Sequence, residues 1–222
     1  MYGLDARGHG LSQGTRGFVG APEQVAADVG AMVSRVRKRT PAAKIFMLGD
    51  SMGADFVLNY IRHDGTISGL ILFALALNLH ASQFFSPDSV RLSPYLVFGY
   101  RKPVISLVGK RLDESTRDEK FIIARRIDPL AYKNVSFGYL VDVQRLVFGW
   151  RSRIAPRVHA PVLLIKGGQD RVVSHEECEA FYQQCAAADK RFTVYPDVKH
   201  TMLWDPETPE VLEQVKRWIE EH

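Results

Sequence analysis

Apolar positions along this chain follow two rhythms. Apolar runs occur at Ile45–Leu48, at Ser68–Ala76 and, broken only by Lys166, at Pro161–Gly168. Runs of this length, bounded by Gly, read as strands buried on both faces, the pattern of a parallel sheet. Between them the period changes to that of an amphipathic helix. Pro22-Glu23 opens a helix with Val25, Val29, Met32, Val33 and Val36 on one side, and Arg35 to Thr40 close it before Pro41. Ala54 to His63 places Phe56, Val57, Tyr60 and Ile61 together and stops at Asp64-Gly65. Ser174 to Ala187 begins with Ser174 and Glu177 at capping-box spacing. Arg191 to Tyr195 is a further strand. Thr208-Pro209 opens a last helix with Val211, Leu212, Val215, Trp218 and Ile219 on its packed face.

Strand–helix alternation is interrupted once. From about Asn78 to Ala160 helical patterns dominate and aromatics gather at Phe84, Phe85, Tyr95, Phe98 and Tyr100. The expected architecture is therefore α/β: a mostly parallel sheet flanked by helices, built from residues 1–77 and 161–222, with residues 78–160 inserted as a helical cap. Met1 to Leu4 reads as the tail of a strand. In such sheets ligands sit beyond the carboxyl ends of the strands.

Three residues fall at such ends. Ser51 lies within Gly49-Asp50-Ser51-Met52-Gly53, directly between a strand and a helix. That is the context of a nucleophile elbow, in which a strained turn lifts the hydroxyl clear of the sheet. Gly49 and Gly53 are expected to be small because strand and helix approach closely there. The competing reading is a plain helix N-cap at Asp50 or Ser51. Asp170 follows the strand ending in Gly167-Gly168, and His200 lies in the loop after the last strand. A serine hydroxyl needs a base to take its proton, and the base needs a carboxylate to fix its tautomer. The order Ser51, Asp170, His200 is that of the α/β-hydrolase arrangement. Asp197 and Asp205 compete with Asp170 as the carboxylate, and His9 competes with His200 as the base.

Asp5-x-Arg7-Gly8-His9-Gly10-x-Ser12-x-Gly14, Gly49-Asp50-Ser51-Met52-Gly53, Gly167-x-x-Asp170-Arg171-Val172-Val173 and His200 together resemble the monoacylglycerol lipase/lysophospholipase-like α/β hydrolases, the serine aminopeptidase S33-type branch. Asp128-Pro129-Leu130 in the insertion resembles that family's cap. The resemblance implies an α/β-hydrolase fold, Ser51 as nucleophile, His200 as base, Asp170 as its orienter and the Met52 backbone N–H as an oxyanion donor. It implies no cofactor and no metal. Family members often carry His before the serine, where this chain has Asp50. In this fold a second oxyanion donor comes from a Gly-rich loop after an early strand, and the chain is expected to be N-terminally truncated, lacking that loop and roughly 50–70 residues of strands and helix. The resulting gap is expected to leave open backbone groups in the sheet, to be closed by direct strand pairing, a dimer or a donated strand.

Composition narrows the partners. Residues 81 to 157 carry 14 Lys and Arg against 7 Asp and Glu, within a chain of net charge +4. A basic cap is suited to an anionic membrane surface, or is simply a solvated face. No nucleic-acid motif accompanies it. Val104, Ile105, Leu107 and Val108 are candidates to line an acyl-chain tunnel, or to pack the cap on the core. Cys178 and Cys185 lie seven apart on a helix, about 10 Å, too far for a disulfide. No apolar run reaches membrane-span length and the start has no signal layout, which points to the cytoplasm. The expected function is hydrolysis of carboxylic esters, with single-chain lipid esters as substrates. The alternatives are a non-catalytic or weakly active binding protein of the same fold, favoured by the missing oxyanion loop, and a peptidase or amidase of the same superfamily.

Overall fold

The apolar runs at 68–76 and 161–168 form the centre of a parallel sheet. A computed structural model describes residues 1–77, 94–106 and 114–222. Its main sheet has the order β1 (Phe46–Asp50), β2 (Gly69–Phe73), β5 (Val162–Gly167), β6 (Lys190–Tyr195), all parallel. The helices packed on it are α1 (Pro22–Arg39), α2 (Met52–Ile61), α5 (Phe137–Val147), α7 (His175–Gln184) and α8 (Thr208–Glu221). Between β2 and β5 the described residues add short helices α3 (Tyr95–Phe98), α4 (Glu119–Ile127) and α6 (Trp150–Arg153). A two-residue antiparallel pair, β3 (Ile105–Ser106) with β4 (Asn134–Val135), also lies there.

The two central strands are apolar on both faces because both faces are covered. Leu70, Leu72, Val162 and Leu164 face a core with Val25, Val29, Val57, Leu58, Leu146 and Phe181. Ile71, Phe73, Leu163 and Ile165 point the other way, against Val211, Val215 and Trp218 of α8. Side chains alternate along a strand, so one unbroken run serves two cores. Each fully buried Leu or Ile contributes about 1.5–3 kcal/mol. A side chain at Gly69 would meet the Trp218 ring 2.5 Å away, so the edge of α8 is seated against bare backbone.

Three expectations change. The 45–48 run is not fully buried: β1 is the edge strand of the described sheet, and Leu48 is 45% exposed. Apolar composition made it resemble β2, but burial depends on having a neighbour on both sides. Residues 1–4 form no strand. The capping box at α7 is half made. Ser174 Oγ accepts from the Glu177 N–H, while the Glu177 carboxylate accepts from Arg151 at 3.3 Å. Phe84, Phe85, Leu107, Val108, Lys110 and Arg111 lie outside the described residues. Ile105 is buried with Val135 and Phe137, within the insertion's own small core rather than along an open channel.

Helix α2 carries polar side chains into this core. Asn59 is fully buried and its amide donates to the Leu146 carbonyl of α5 at 2.8 Å and to the Asp55 carbonyl at 2.9 Å. This ties the helix that starts at Ser51 to the inserted segment. Replacing Asn59 by Ala removes the donor to Leu146. We expect a loss of about 1–3 kcal/mol in urea unfolding, from the unsatisfied carbonyl and the small cavity.

Candidate active site

Ser51 occupies the single residue between β1 and α2, with φ 54° and ψ −119°. A non-glycine residue at positive φ is strained and persists only where its surroundings hold it. They do here: the Ser51 N–H donates to the Phe73 carbonyl of β2 at 2.9 Å, and the Ala54 N–H donates to Ser51 O at 2.9 Å. Gly49 is required, because a Cβ there would lie 2.5 Å from the Ala54 backbone. Gly53 is not under the same demand. A Cβ there meets nothing within 4 Å, so the close approach of strand and helix falls at the first glycine of the elbow and not the second.

The loops after β5 and β6 are laced together. The Gly168 N–H donates to Tyr195 O at 2.7 Å, and the Gln169 N–H to Val198 O at 2.9 Å. A side chain at Gly167 would strike the Val198 and Lys199 carbonyls at 2.3 Å. Bare backbone at 167–168 therefore lets the two loops meet, which brings Asp170 to His200. His200 Nδ1 lies 2.9 Å from Asp170 Oδ2, and His200 Nε2 lies 3.1 Å from Ser51 Oγ. A carboxylate only accepts, so Nδ1 carries the proton and Nε2 is left to accept from the serine hydroxyl. Asp205 does different work. Its carboxylate accepts from the Lys199 N–H at 2.7 Å, the Thr116 hydroxyl at 2.7 Å and the Arg117 N–H at 2.6 Å, pinning the far side of the His200 loop. Asp197 is exposed. His9 Nδ1 faces the Arg7 carbonyl, and its ring packs against Tyr132 and Tyr139.

The Asp170 side chain is fully buried. Burial pushes its carboxyl up, but the His200 hydrogen bond and charge, Lys166 and the Val173 N–H outweigh it and hold the group below the ordinary carboxylate range. Its other oxygen accepts from the Val172 and Val173 N–H groups. Asp50 has the opposite balance. Burial and the nearby Asp170 charge push it up, His200 only partly offsets this, and it reaches about 6. Its Oδ1 is buried with no partner among the described residues.

Two neighbours of the site were not legible as such in the sequence. The Tyr139 hydroxyl donates to Met52 Sδ at 3.2 Å, placing an inserted-segment aromatic beside the elbow. Lys166, buried behind Asp170, lies inside a run that reads simply as strand. The Asp5–Gly14 motif is a folded loop: Asp5 accepts from the Leu11 N–H at 2.9 Å, and Arg7 pairs with Asp28 through two contacts at 2.8 Å. Arg16 carries that loop to the insertion by donating to Leu130 O at 2.7 Å, next to the Asp128 turn. Among the described residues no three His, Cys, Asp or Glu side chains gather as a metal set, and no helix is long and apolar enough to cross a membrane.

The Asp50 shift has a defined sign. Its folded value of about 6 lies above the ordinary 3.8. The neutral form is favoured in the folded protein, so its stabilising effect is full below about pH 4 and is lost as pH rises through about 6. Asp50→Asn should therefore stabilise the protein at pH 7, by up to about 3 kcal/mol. The difference from wild type should vanish near pH 4. Urea unfolding at both pH values measures it, and equal differences at the two would contradict the burial of this charge.

The chain is similar in sequence and in fold to known proteins. A family model described as serine aminopeptidase, S33, matches residues 1–207. A monoacylglycerol lipase of Mycolicibacterium smegmatis is 29% identical over 227 residues, spanning 100% of this chain and 78% of that protein. A monoglyceride lipase of Rattus norvegicus is 28% identical, over 99% of this chain and 72% of that one. In fold, the chain is similar to a soluble variant of Saccharomyces cerevisiae monoglyceride lipase in complex with a substrate analogue. The TM-score is 0.80 at 22% identity, over 98% of this chain and 76% of the other. With its strand–serine–helix turn and its parallel sheet, the chain belongs to the serine aminopeptidase S33 family of α/β hydrolases.

Proposed function

We propose that this chain hydrolyses carboxylic esters, with monoacylglycerols and related single-chain lipid esters as its substrates, through an acyl-enzyme on Ser51. The observation that carries the reading is the continuous contact Ser51 Oγ–His200 Nε2–His200 Nδ1–Asp170 Oδ2, at 3.1 and 2.9 Å. As the serine oxygen attacks the ester carbonyl, Nε2 takes its proton. Asp170 steadies the imidazolium that forms, and the same proton then goes to the departing alcohol. Water repeats the sequence on the acyl-enzyme. The Met52 N–H, in the first turn of α2, has no intrahelical acceptor and is the proposed donor to the carbonyl oxygen.

The substrate class is supported by the names of the relatives and by the apolar surroundings of the elbow, where Met52 meets Tyr139, whose ring packs on Tyr132. We place the cap at residues 78–160, over this elbow. Helix α4 supports contact with a lipid surface: Ile123 and Ile127 are 59% and 75% exposed, beside Lys120, Arg125 and Arg126. Phe121 on the same helix stacks on Trp204 at 4.7 Å, within the segment that follows His200.

A fluorophosphonate probe should label the wild-type protein and fail on Ser51→Ala, with the latter losing esterase activity by at least about 10³-fold. Turnover of p-nitrophenyl esters of increasing acyl length should continue past butyrate. A sharp preference for acetate, with nothing beyond it, would contradict a lipid-ester substrate. A labelled but non-hydrolysing wild type would favour the binding-protein reading.

A further inference from the structure

The penultimate residue of β5 is a lysine with a side chain only 2% exposed. Strand alternation sets Lys166 on the face shared by Val162 and Leu164, toward α7 with Cys178 and Phe181. Packing alone would be satisfied there by an apolar side chain, and an ammonium is unfavourable in such a place unless it is paired. Its contacts are the Gly167 carbonyl at 3.2 Å, the Asp170 carbonyl at 3.5 Å and Asp170 Oδ2 at 3.7 Å. That same Oδ2 accepts from His200 Nδ1 at 2.9 Å. One carboxylate oxygen is thus shared between the imidazole in front and the ammonium behind.

We propose that Lys166 is a positioning residue of the Ser51–His200–Asp170 array, whose ammonium fixes the Asp170 carboxylate and moderates the basicity that carboxylate confers on His200. The inference rests on the hydrolase reading above. The charge around it is defined on each side. Asp170 and His200 come from the two laced loops, and Asp50 faces them from the end of β1. Glu176, Glu177 and Cys178 come from the first turn of α7, with the Cys178 thiol pushed up to about 12 by burial and so neutral. Without the ammonium, the carboxylate acts unmoderated on the imidazole. His200 should then hold its proton to higher pH and be available as a base over a narrower range. The carboxylate would also lose one of its three lateral supports, the other two being the N–H groups of Val172 and Val173.

The test compares Lys166→Met, Lys166→Gln and Lys166→Arg with wild type, using p-nitrophenyl butyrate hydrolysis and the rate of fluorophosphonate labelling as functions of pH. Both uncharged variants should shift the acid limb of kcat/KM upward by about one pH unit. They should also lower kcat about 10-fold, with KM changed less than about twofold. Lys166→Arg should keep the wild-type acid limb. In an Asp170→Asn background, adding Lys166→Met should move the labelling profile less than in wild type, since only the direct field of the ammonium on His200 is then removed. The proposal is overturned by a folded Lys166→Met with wild-type kcat and acid limb, or by the same shift in the Asp170→Asn background. It is also overturned if both uncharged variants fail to fold where Lys166→Arg folds, since the lysine would then be structural. A wild type that the probe does not label would instead remove the hydrolase reading itself.

Discussion

Everything chemical in this protein depends on the side-by-side alignment of strand ends in one parallel sheet. The ladder places Asp50 opposite Phe73, Phe73 opposite Ile165, and Gly167 opposite Tyr195. The chain leaves β1, β5 and β6 at the same edge, and a polar residue in each following segment reaches the same small volume. Parallel pairing makes this economical, because all carboxyl ends point one way. Two apolar cores, one on either side, hold the ladder at whose end the Ser51 N–H donates to the Phe73 carbonyl.

Alignment of strands does not by itself bring side chains within hydrogen-bond reach. That is done by removing atoms and by adding buried charge. At Gly49 and Gly167 the backbone of one segment occupies the place where a neighbour's Cβ would stand. Around Ser51 and His200, the Asp170 and Lys166 side chains are withdrawn from water and Asp50 is largely so, and their mutual fields are little screened. Asp170 is held ionised by its partners, whereas Asp50, close by but unpartnered at Oδ1, is pushed toward neutrality. Two carboxyl groups of one chemistry thus differ in how readily they take up a proton, because their burial and their contacts differ.

The inserted segment contributes to the site through the same kind of reach. Tyr139 meets Met52, Asn59 meets the Leu146 carbonyl, and Thr116 and the Arg117 N–H meet Asp205, which in turn fixes Lys199 beside His200. The insertion is therefore joined to both the elbow and the histidine loop, by contacts spanning some eighty to ninety residues of chain. Such contacts explain why a stretch without strand–helix rhythm sits beside the chemistry.

Local pattern determined a good deal. The unbroken run at 69–73 and the run at 162–165 announce central parallel strands, because a strand covered on both faces is apolar on both. The glycine-flanked Ser51 between a strand and a helix announces an elbow, since few other turns need that composition. What the linear pattern could not carry is anything set by a neighbour distant in the chain. Leu48 reads like Leu72, yet one is exposed and the other buried, because β1 has a partner on one side and β2 on both. Gly53 reads like Gly49, but only the latter is crowded by backbone. Asp197 and Asp205 lie closer to His200 along the chain, whereas Asp170 is favoured by its place after a strand end. The lacing of two loops decided among them, putting one carboxylate on the imidazole, another on the loop that carries it, and the third in water. Lys166 is one letter in an apolar run, and its charge acquires a meaning only where the folded strand end sets it 3.7 Å from Asp170. Periodicity is a property of neighbours along the chain, while crowding, pairing and desolvation are properties of neighbours in space.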